Sequence, residues 1–432
     1  MIEKQPLHLN KTFKYALDFL EKTKGSAFVT GRAGTGKSTL LKLFRNSTRK
    51  KVVVVAPTGV AALNVQGQTI HSFFGFPAKP LQRADIRRRR NRNLYRNMDV
   101  LVIDEISMVR ADLLDNIDYF LQINRDSPLP FGGVQVVFFG DLFQLPPVVA
   151  TMTERELFTT VYDSPYFFSS HVFDESFDLE FIELTETYRQ ESAHFIRLLD
   201  AVRLKQIDYD DLEDLNTRHV PDFKSPDFYI TLSSRNSIVN KINQERLKSL
   251  NSDEYTYLAS VSGSFSERLT PAEPALRLKT GAQVMFVKND PQRRFVNGTI
   301  GKVVKLMDDE IHVLIETAAG DQKVINVEKL KWEMMRYQAN DATDPTNIST
   351  ETIGSYTQYP LRLAWAITIH KSQGKTFDKI IIDLGRGAFE HGQTYVALSR
   401  CRTLEGIVLR QPLTGRDIII DDRVVEFFEQ NF

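Results

Sequence analysis

The stretch GRAGTGKS, Gly31 to Ser38, decides how the rest of this sequence is interpreted. It satisfies the pattern GxxxxGK[ST], and the apolar segments AFVT before it and STLLKLF after it predict a strand, a loop and a helix in that order. Glycines allow backbone N–H groups to surround phosphates, Lys37 can reach the β and γ phosphates, and the Ser38 hydroxyl can bind Mg²⁺. The predicted nucleotide-binding residues are Gly34, Thr35, Gly36, Lys37, Ser38 and Thr39.

A second Gly-Lys-Thr signal ends the segment SQGKT, residues 372–376. A phosphate-binding loop would need a further glycine five residues before Gly374, and the chain has Ile369 at that position. No cradle for phosphates is expected there, so the second signal needs a different function.

Two apolar strands further along end in polar side chains that suit nucleotide hydrolysis. VLVIDEIS, residues 100–107, contains Asp104 and Glu105, which we expect to face Mg²⁺ and the attacking water respectively. The strand in GGVQVVFFGDLFQLPPV, residues 132–148, is followed by Gln144, which can sense the γ-phosphate. The alternative for this second segment is a loop whose prolines are purely structural.

Strands alternate with helical segments from the first motif onward, as in KVVVVAPTGVAALN at 51–64, which predicts a parallel sheet with ligands at the carboxyl ends of its strands. The pattern restarts with strands predicted at 227–234, 378–384 and 405–410, and helices at 237–250 and 392–400. Short strands with turn signals such as Asn297-Gly298 interrupt it and predict a small inserted β-barrel. The predicted division is a first lobe at 1–190, a second lobe at 191–261 and 361–432, and the barrel at 262–360.

Two α/β lobes of this kind suggest an ATP bound between them. Arg189 in TYRQ and Arg400 in YVALSRCR are the candidates to reach the γ-phosphate from the facing side. The alternative is that both are surface arginines at helix ends.

The composition sets limits on location and partners. Lys plus Arg total 55 and Asp plus Glu total 55, so a nucleic-acid site must come from local clustering of charge. The single cysteine, Cys401, permits no internal disulfide, and together with eight scattered histidines it makes no zinc pattern. The N-terminus lacks the apolar core of a signal peptide, and the apolar runs are short. We therefore expect a cytoplasmic protein that does not contact a membrane.

Nine short segments are informative as an ordered set. They are GRAGTGKST, APTGVAALN, TIHSFFGFP, VIDEISM, PFGGVQVVFFGDLFQLPPV, LTETYRQ, FVNGTIG, AITIHKSQGKTFDKIIIDL and TYVALSRCR, spread over about residues 10–410. In this order they resemble the PIF (petite integration frequency) helicases of superfamily 1B; RecD-like helicases agree less in detail. The resemblance implies an α/β fold of two RecA-like lobes, with a small wedge-like insertion near 64–80 in the first lobe and an SH3-like barrel in the second.

The resemblance also implies an activity. The implied enzyme is a DNA helicase that uses ATP and Mg²⁺, moves 5′ to 3′ on single-stranded DNA, and unwinds duplex or G-quadruplex DNA in replication, repair or genome maintenance. Its implied partners are single-stranded DNA, forked duplexes and G-quadruplexes, with no obligate protein partner, as in a minimal bacterial or phage-like helicase core. The alternative function is an ATP-dependent single-stranded-DNA-binding switch without processive unwinding. A small-molecule kinase would leave the second lobe unexplained.

The second Gly-Lys signal acquires a function through the same resemblance. In the family, the segment matching TIHKSQGKT lies between the DNA strand and the nucleotide cleft, so the first signal would hold ATP and the second DNA. Hydroxyls, an amide and a lysine suit contacts to phosphate and sugar, which carry no sequence preference. The residues implied to contact DNA are Thr368, His370, Lys371, Ser372 and Gln373, together with Pro57, Thr58, Thr69, His71 and Asn289.

Three further features each keep more than one interpretation. Asn10 stands where related helicases commonly have a glutamine that reads adenine, and it can cap the first helix, bind adenine or do both. The basic run RADIRRRRNRNLYR at 83–96 can hold duplex phosphates or form a solvated outer face. The aromatic residues Phe73, Phe74 and Phe76 can stack on bases or pack a small hairpin.

Overall fold

The computed structural model describes most of the chain, in seven ranges. They are residues 10–77, 81–173, 177–190, 192–265, 270–317, 320–339 and 348–432. The predicted wedge-like insertion at 64–80 and the predicted barrel at 262–360 therefore extend partly outside the described residues.

The first lobe is built on a six-stranded sheet. Its strands are β1 (Ser26–Gly31), β2 (Val52–Ala56), β3 (Gln68–Thr69), β4 (Val100–Ile103), β5 (Gln135–Phe139) and β6 (Leu179–Leu184). Its helices are α1 (Lys11–Lys22), α2 (Lys37–Ser47), α3 (Gly59–Asn64), α4 (Ile70–Phe74), α5 (Asn93–Asn97), α6 (Ala111–Arg125) and α7 (Met152–Thr160). Neighbouring strands are all parallel, in the order β3-β2-β4-β5-β1-β6. The predicted parallel α/β arrangement is confirmed.

The strands of this sheet are apolar on both faces because both faces are covered. Phe28 of β1 packs into the large core that continues into the second half of the chain, whereas its neighbours Ala27 and Val29 pack with α1 and α2 on the other face. Successive side chains of a strand point to opposite faces, so a continuous apolar run is the pattern expected of a doubly covered strand. Each fully buried Val or Phe side chain of this kind contributes roughly 1.5–3 kcal/mol.

The second lobe starts after β6. Its first elements are α8 (Ala193–Arg203), α9 (Tyr209–Asn216), β7 (Ile230–Ser233) and α10 (Asn236–Lys248). An antiparallel region follows, made of β8 (Glu254–Leu258), β9 (Ser260–Gly263), β10 (Ala275–Lys279), β11 (Gln283–Phe286), β12 (Ile300–Leu306), β13 (Ile311–Glu316), β14 (Gln322–Val327), β15 (Leu330–Ala339), β16 (Ile348–Gln358) and β17 (Leu361–Leu363). The lobe then resumes with β18 (Ala366–Thr368), α11 (Ile369–Ser372), β19 (Ile380–Asp383), α12 (Gln393–Leu398), β20 (Ile407–Leu409) and α13 (Asp422–Asn431).

A parallel sheet in the order β18-β7-β19-β20 forms the second lobe, and it confirms the strands predicted at 227–234, 378–384 and 405–410. The antiparallel region has its own five-stranded sheet, β14-β13-β12-β11-β17, around a separate apolar core that includes Val284, Val303 and Val313. Strands β8 and β17 lie outside 262–360, so these boundaries and the SH3-like shape stay predictions. Among the described residues, no helix is both long and apolar enough to cross a bilayer.

A long hairpin, β15–β16, reaches from the antiparallel region back to the first lobe. The buried Tyr337 of β15 accepts a hydrogen bond from the Val54 N–H at 3.1 Å, and its own N–H donates to Gln68 Oε1 at 3.0 Å. Its ring meets Phe73 edge-on, with centroids 5.9 Å apart. The two-residue strand β3 pairs with β2 only from Val55 onward, so Tyr337 supplies the partner that the Val54 N–H would otherwise lack on that side.

We expect Tyr337→Phe to destabilise the first lobe, because a buried N–H would lose its acceptor, at a cost of about 1–3 kcal/mol. Thermal unfolding followed by far-UV circular dichroism should show a melting temperature lowered by a few degrees. The matched control is Tyr209→Phe, which removes a hydroxyl from a side chain that is 72% exposed. Equal melting temperatures for Tyr337→Phe and the unaltered chain would show that the hairpin does not stabilise the lobe.

Candidate functional site

A cleft of about 690 Å³ lies between the two lobes. It is lined by Gly34, Gly36, Lys37, Ser38, Thr39, Asp104, Glu105, Gln144, Arg189 and Arg400, together with other residues. Thr35 lies buried beneath it, and its hydroxyl donates to the Arg32 carbonyl at 2.9 Å. Apart from Asn10, the residues predicted for nucleotide binding and hydrolysis therefore surround one cavity.

The phosphate-binding loop has the conformation that its glycines permit. Gly34 has φ +90°, and a Cβ there would lie 2.5 Å from the Cβ of Arg189, so only glycine fits. The Lys37 ammonium donates to the carbonyls of Gly31 at 2.5 Å and Arg32 at 3.1 Å, which closes the loop on itself. Burial lowers the pKa of Lys37, although the carboxylates of Asp141 and Glu105 oppose this effect. A phosphate would replace the two carbonyls as a stronger, charged partner.

The two acids after β4 lie on the floor of the cleft. Burial, and then the charge of Glu105, raise the pKa of Asp104 to about 7; burial also raises the pKa of Glu105. Glu105 has φ +52°, an uncommon conformation for a residue other than glycine and one that is often found at active sites. The site thus disfavours unpaired negative charge, which a bound cation would relieve.

Oxygen donors suited to Mg²⁺ are present on the cleft wall, from the Ser38 hydroxyl and the Asp104 carboxylate. Within the described ranges, no group of three or more His, Cys, Asp or Glu side chains is arranged to hold a metal by itself. A magnesium ion here would need phosphate oxygens and waters to complete its six ligands, which is how this ion commonly binds with nucleotides.

Two arginines face the cleft with their positive charges poorly balanced. Arg189 donates to the Ser399 carbonyl at 3.0 Å, and Arg400 donates to the Val396 carbonyl at 2.9 Å and the Ser399 hydroxyl at 2.8 Å. Burial lowers the pKa of Arg189 to about 9, with a further contribution from Arg400, and burial lowers the pKa of Arg400 to about 10. Because both line the cavity, the alternative of two surface arginines is wrong, and a phosphate would supply the missing negative charge.

A buried network beneath the cleft joins the lobes and involves residues that the sequence did not single out. The Tyr395 hydroxyl of α12 accepts from the Ala33 N–H at 3.0 Å and lies 3.3 Å from Asp141 Oδ2. Asp141 also accepts from the Gln144 side chain at 3.1 Å and is 3.5 Å from the Arg203 guanidinium. The only sequence signal for this network was that Asp141 and Tyr395 lie within recognised motifs.

The loop after β5 also meets the second lobe through His391 and Gly392. The buried His391 donates from Nε2 to the Leu142 carbonyl at 2.7 Å and accepts at Nδ1 from the Asp421 N–H at 2.8 Å. A Cβ on Gly392, which has φ +68°, would lie 2.3 Å from the Phe143 oxygen and 2.5 Å from the Gln144 oxygen. The Gln144 loop therefore packs directly against the start of α12.

One end of the cleft is aromatic, from Phe13 and Tyr188, whose rings are 6.4 Å apart and nearly perpendicular. Asn10 caps α1 by accepting from the Phe13 N–H at 2.8 Å, and its amide lies 3.4 Å from the Tyr188 hydroxyl. The capping interpretation of Asn10 is confirmed, whereas its contact with adenine stays a prediction. The two rings, which the sequence reasoning missed, form a surface on which a base can stack.

The threonines predicted to contact DNA share one local structure. Each is the N-cap of a short helix that follows a parallel strand: Thr58 accepts from the Ala61 N–H at 3.2 Å, Thr69 from the Ser72 N–H at 3.3 Å, and Thr368 from the Lys371 N–H at 3.3 Å. Ser and Thr are favoured at this position because their hydroxyl satisfies an otherwise unpaired N–H. Their contact with DNA stays a prediction.

The remaining predicted DNA residues differ in accessibility. Lys371 and Asn289 are exposed, Pro57 and His71 are half-buried, and His370 lies 3.3 Å from Glu390. Ser372 is buried, and its hydroxyl donates to the Ile369 carbonyl at 2.6 Å. The Gln373 side chain points into the nucleotide cleft, where its amide nitrogen lies 3.3 Å from Glu105 and 3.2 Å from Gln144.

Several arginines of the basic run and the aromatic residues of the first lobe make contacts within the lobe, and binding of duplex phosphates by the basic run stays a prediction. Arg88, Arg92 and Arg96 converge on Asp126, and Arg89 donates to the carbonyl of Phe74 while lying over the ring of Phe120. The aromatic residues Phe73, Phe74 and Phe76 are buried and pack with Tyr95 and Phe120. The packing interpretation is confirmed for these aromatic residues.

Comparisons with known proteins agree with this geometry. The family model described as PIF1-like helicase matches residues 9–213, and the model of the 2B domain of DNA helicase Pif1 matches residues 268–306. The chain is 34% identical to the ATP-dependent DNA helicase Pif1 of Bdellovibrio bacteriovorus, over 96% of this chain and 90% of that protein.

Two crystal structures of Pif1 from Bacteroides sp. are similar to this chain over nearly its whole length. The complex with ADP-AlF4 is 39% identical and gives a TM-score of 0.89, covering 98% of this chain and 97% of that chain. The structure bound to single-stranded DNA is 40% identical at the same coverage and gives 0.70. The arrangement described here is thus more similar to the first structure than to the second.

We expect Gly392→Ala to lower ATP hydrolysis by at least about tenfold, because the added Cβ meets backbone oxygens of the Gln144 loop and the left-handed φ costs about 1–2 kcal/mol. Steady-state phosphate release checks this. The control is Gly415→Ala, since a Cβ at Gly415 would meet no heavy atom within 4 Å. Normal turnover by Gly392→Ala would show that close packing of the loop on α12 is not needed.

Proposed function

The chain belongs to the PIF1-like helicase family and is an ATP-dependent DNA helicase. We propose that it hydrolyses ATP between its two lobes and uses the energy to move 5′ to 3′ on single-stranded DNA. The observation that carries the proposal is the position of the segment 368–373. Its exposed Lys371 faces solvent, while Gln373, two residues further along the chain, contacts Glu105. One short segment therefore touches the site of hydrolysis and offers a cation to a DNA backbone.

ATP would bind with its base against Phe13 and Tyr188 and its phosphates in the loop that ends in Lys37. The free N–H groups at the N-terminus of α2 would face these phosphates, an arrangement that favours negative charge. Mg²⁺, held by Ser38 and Asp104, would supply charge neutralisation on the phosphate oxygens. The unfavourable burial of Lys37, Arg189 and Arg400 supports this assignment, because a triphosphate supplies their missing counter-charge.

Hydrolysis would be an in-line attack of water on the γ-phosphorus. Glu105 would orient the water and accept its proton as the new P–O bond forms, while the bond to the β-phosphate oxygen breaks and ADP leaves. Arg189 and Arg400 would stabilise the charge on the transferring group, a contribution that can be worth about 10³–10⁵ in rate. Arg400 belongs to the second lobe, and Arg189 contacts that lobe through Ser399, so the rate would depend on how the lobes are placed.

Movement along DNA would follow from this dependence. Binding and loss of nucleotide would change the distance between the lobes. The short helices capped by Thr58, Thr69 and Thr368 would hold the DNA backbone in turn. Opening one base pair must overcome stacking of about 1.4 kcal/mol. Polarity, forked and G-quadruplex substrates, and roles in replication, repair or genome maintenance rest on family membership and are part of the proposal.

Lys37→Ala should reduce ATP hydrolysis by at least about 100-fold, because the loop loses the charge that reaches the transferring phosphate. The matched control is Lys42→Ala on the exposed face of the same helix, which should hydrolyse ATP normally. A colorimetric phosphate assay is sufficient. Retained turnover in Lys37→Ala would contradict the assignment of the nucleotide site.

Lys371→Ala should weaken binding of a single-stranded oligonucleotide and reduce the slope of log affinity against log salt by about one, as expected when one phosphate contact is lost. Fluorescence anisotropy at several salt concentrations measures both quantities. Lys248→Ala, an exposed lysine of α10 in the same lobe, is the control. An unaltered salt slope for Lys371→Ala would remove this residue from the DNA site.

Unwinding separates the helicase from the switch without processive motion. Substrates with a 5′ or a 3′ single-stranded tail, each ending in a labelled duplex, test motion and direction in one assay. Strand release only from the 5′-tailed substrate is the expected result. DNA-stimulated hydrolysis without release from either substrate would favour the switch.

A further inference from the structure

The amide of Gln373 occupies a position in the nucleotide cleft that no step of the hydrolysis uses. Its nitrogen lies 3.3 Å from Glu105 Oε2 and 3.2 Å from Gln144 Oε1. A side-chain amide carries two hydrogens on that nitrogen, so it can donate to both oxygens at the same time. One side chain of the second lobe therefore links the acid after β4 to the glutamine after β5.

Both acceptors are needed for the attacking water. In the hydrolysis proposed above, Glu105 accepts a hydrogen bond and then a proton from that water, and Gln144 is predicted to sense the γ-phosphate that the water attacks. The amide contacts Oε2 of Glu105, so a water that needs this oxygen has to displace the amide, and hydrogen bonds to charged groups are among the stronger ones. The Gln373 amide thus competes with the water for Glu105.

The backbone around Gln373 allows this contact to be broken from a distance. Gln373 is the C-cap of the four-residue helix α11, whose N-cap is Thr368 and which carries the exposed Lys371. The next residue, Gly374, has φ +74°, a left-handed conformation that favours glycine, and it ends the helical turn directly after Gln373. Because Gln373 ends α11 directly, a DNA strand that displaces α11 would also move the Gln373 amide relative to Glu105 and Gln144.

We propose that Gln373 is a positioning residue that holds Glu105 and Gln144 in a resting arrangement, and that a single-stranded DNA backbone bound at α11 withdraws its amide and frees both side chains for the attacking water. The proposal rests on the function proposed above and adds its regulation. Stimulation of hydrolysis by DNA is then the release of an inhibitory contact, in addition to any gain of new contacts. ATP binding itself does not depend on the amide.

The test is Gln373→Leu, which keeps the side-chain size and removes both donors. The DNA-free kcat should rise about fivefold to tenfold, which is the change expected when one hydrogen bond restraining the ground state is lost. The KM for ATP should stay within about twofold, and the kcat at saturating oligo-dT should change little, so the ratio of stimulated to DNA-free rates should fall. The matched control is Gln206→Leu, the same substitution at an exposed position of the second lobe, with unaltered kinetics expected.

A purely structural role for Gln373 predicts the opposite result, since damage to the cleft lowers the DNA-free rate. Gln373→Ala provides a second variant, because it removes the amide and introduces no charge beside Glu105. It should raise the DNA-free rate as well. Circular dichroism and melting temperature establish that each variant is folded. A DNA-free rate at or below that of the unaltered chain in every folded variant overturns the proposal.

ATP hydrolysis by the unaltered chain shows whether a negative result overturns the inhibitory contact alone or the proposed function as well. If the unaltered chain shows no hydrolysis that depends on Lys37, the proposed function is wrong. If it shows hydrolysis stimulated by oligo-dT, but the Gln373 variants do not gain activity without DNA, then the helicase assignment holds and the inhibitory contact is wrong.

Discussion

One buried hydroxyl fixes how the two lobes meet. The Tyr395 hydroxyl of the second lobe accepts a hydrogen bond from the Ala33 N–H in the phosphate-binding loop and lies 3.3 Å from Asp141. It therefore contacts both the phosphate-binding loop and the loop after β5, on the first-lobe side of the cleft. Leaving this buried polar group unpaired would cost about 1–3 kcal/mol, so displacements of the lobes that break the hydrogen bond are disfavoured. Arg203 and His391 add contacts on the same side. Together with the contacts of Arg189 with Ser399 and of Gln373 with Glu105, they set the width of the nucleotide cleft.

Charge is the second constraint on the cleft. Two arginines and a lysine have lowered pKa values there and two acids have raised ones, so each group is held in a site that disfavours its own charge. Such perturbed groups gather at functional sites because a ligand of matching charge removes the penalty. The chain gives up stability in its nucleotide-free form and regains it when a triphosphate and its cation bind. Binding energy can therefore be converted into movement of the lobes.

The sequence predicted those parts of the site that are contiguous in the chain. The phosphate-binding loop, Asp104 and Glu105 follow apolar strands, and parallel pairing brings strand ends to one edge of a sheet. It did not predict Tyr395, Arg203 or His391, since their partners lie far away in the chain and nothing in the local pattern identifies them. Gln373 was assigned to DNA from its motif, and only the three-dimensional structure shows its amide in the nucleotide cleft. The docking of β15–β16 was missed because strand alternation does not say which surface a hairpin meets.

The docked hairpin also affects how the chain behaves toward copies of itself. While Tyr337 stays in place, the Val54 N–H of β2 is hidden from other molecules. If the hairpin lifts, the amino-terminal half of β2 becomes an open strand edge, and such edges pair readily with other chains. The contact of Tyr337 with Val54, which orients the antiparallel region, therefore also protects the chain against aggregation through this strand edge. At high protein concentration, the tendency of the chains to associate would therefore depend on how often Tyr337 leaves its position against β2.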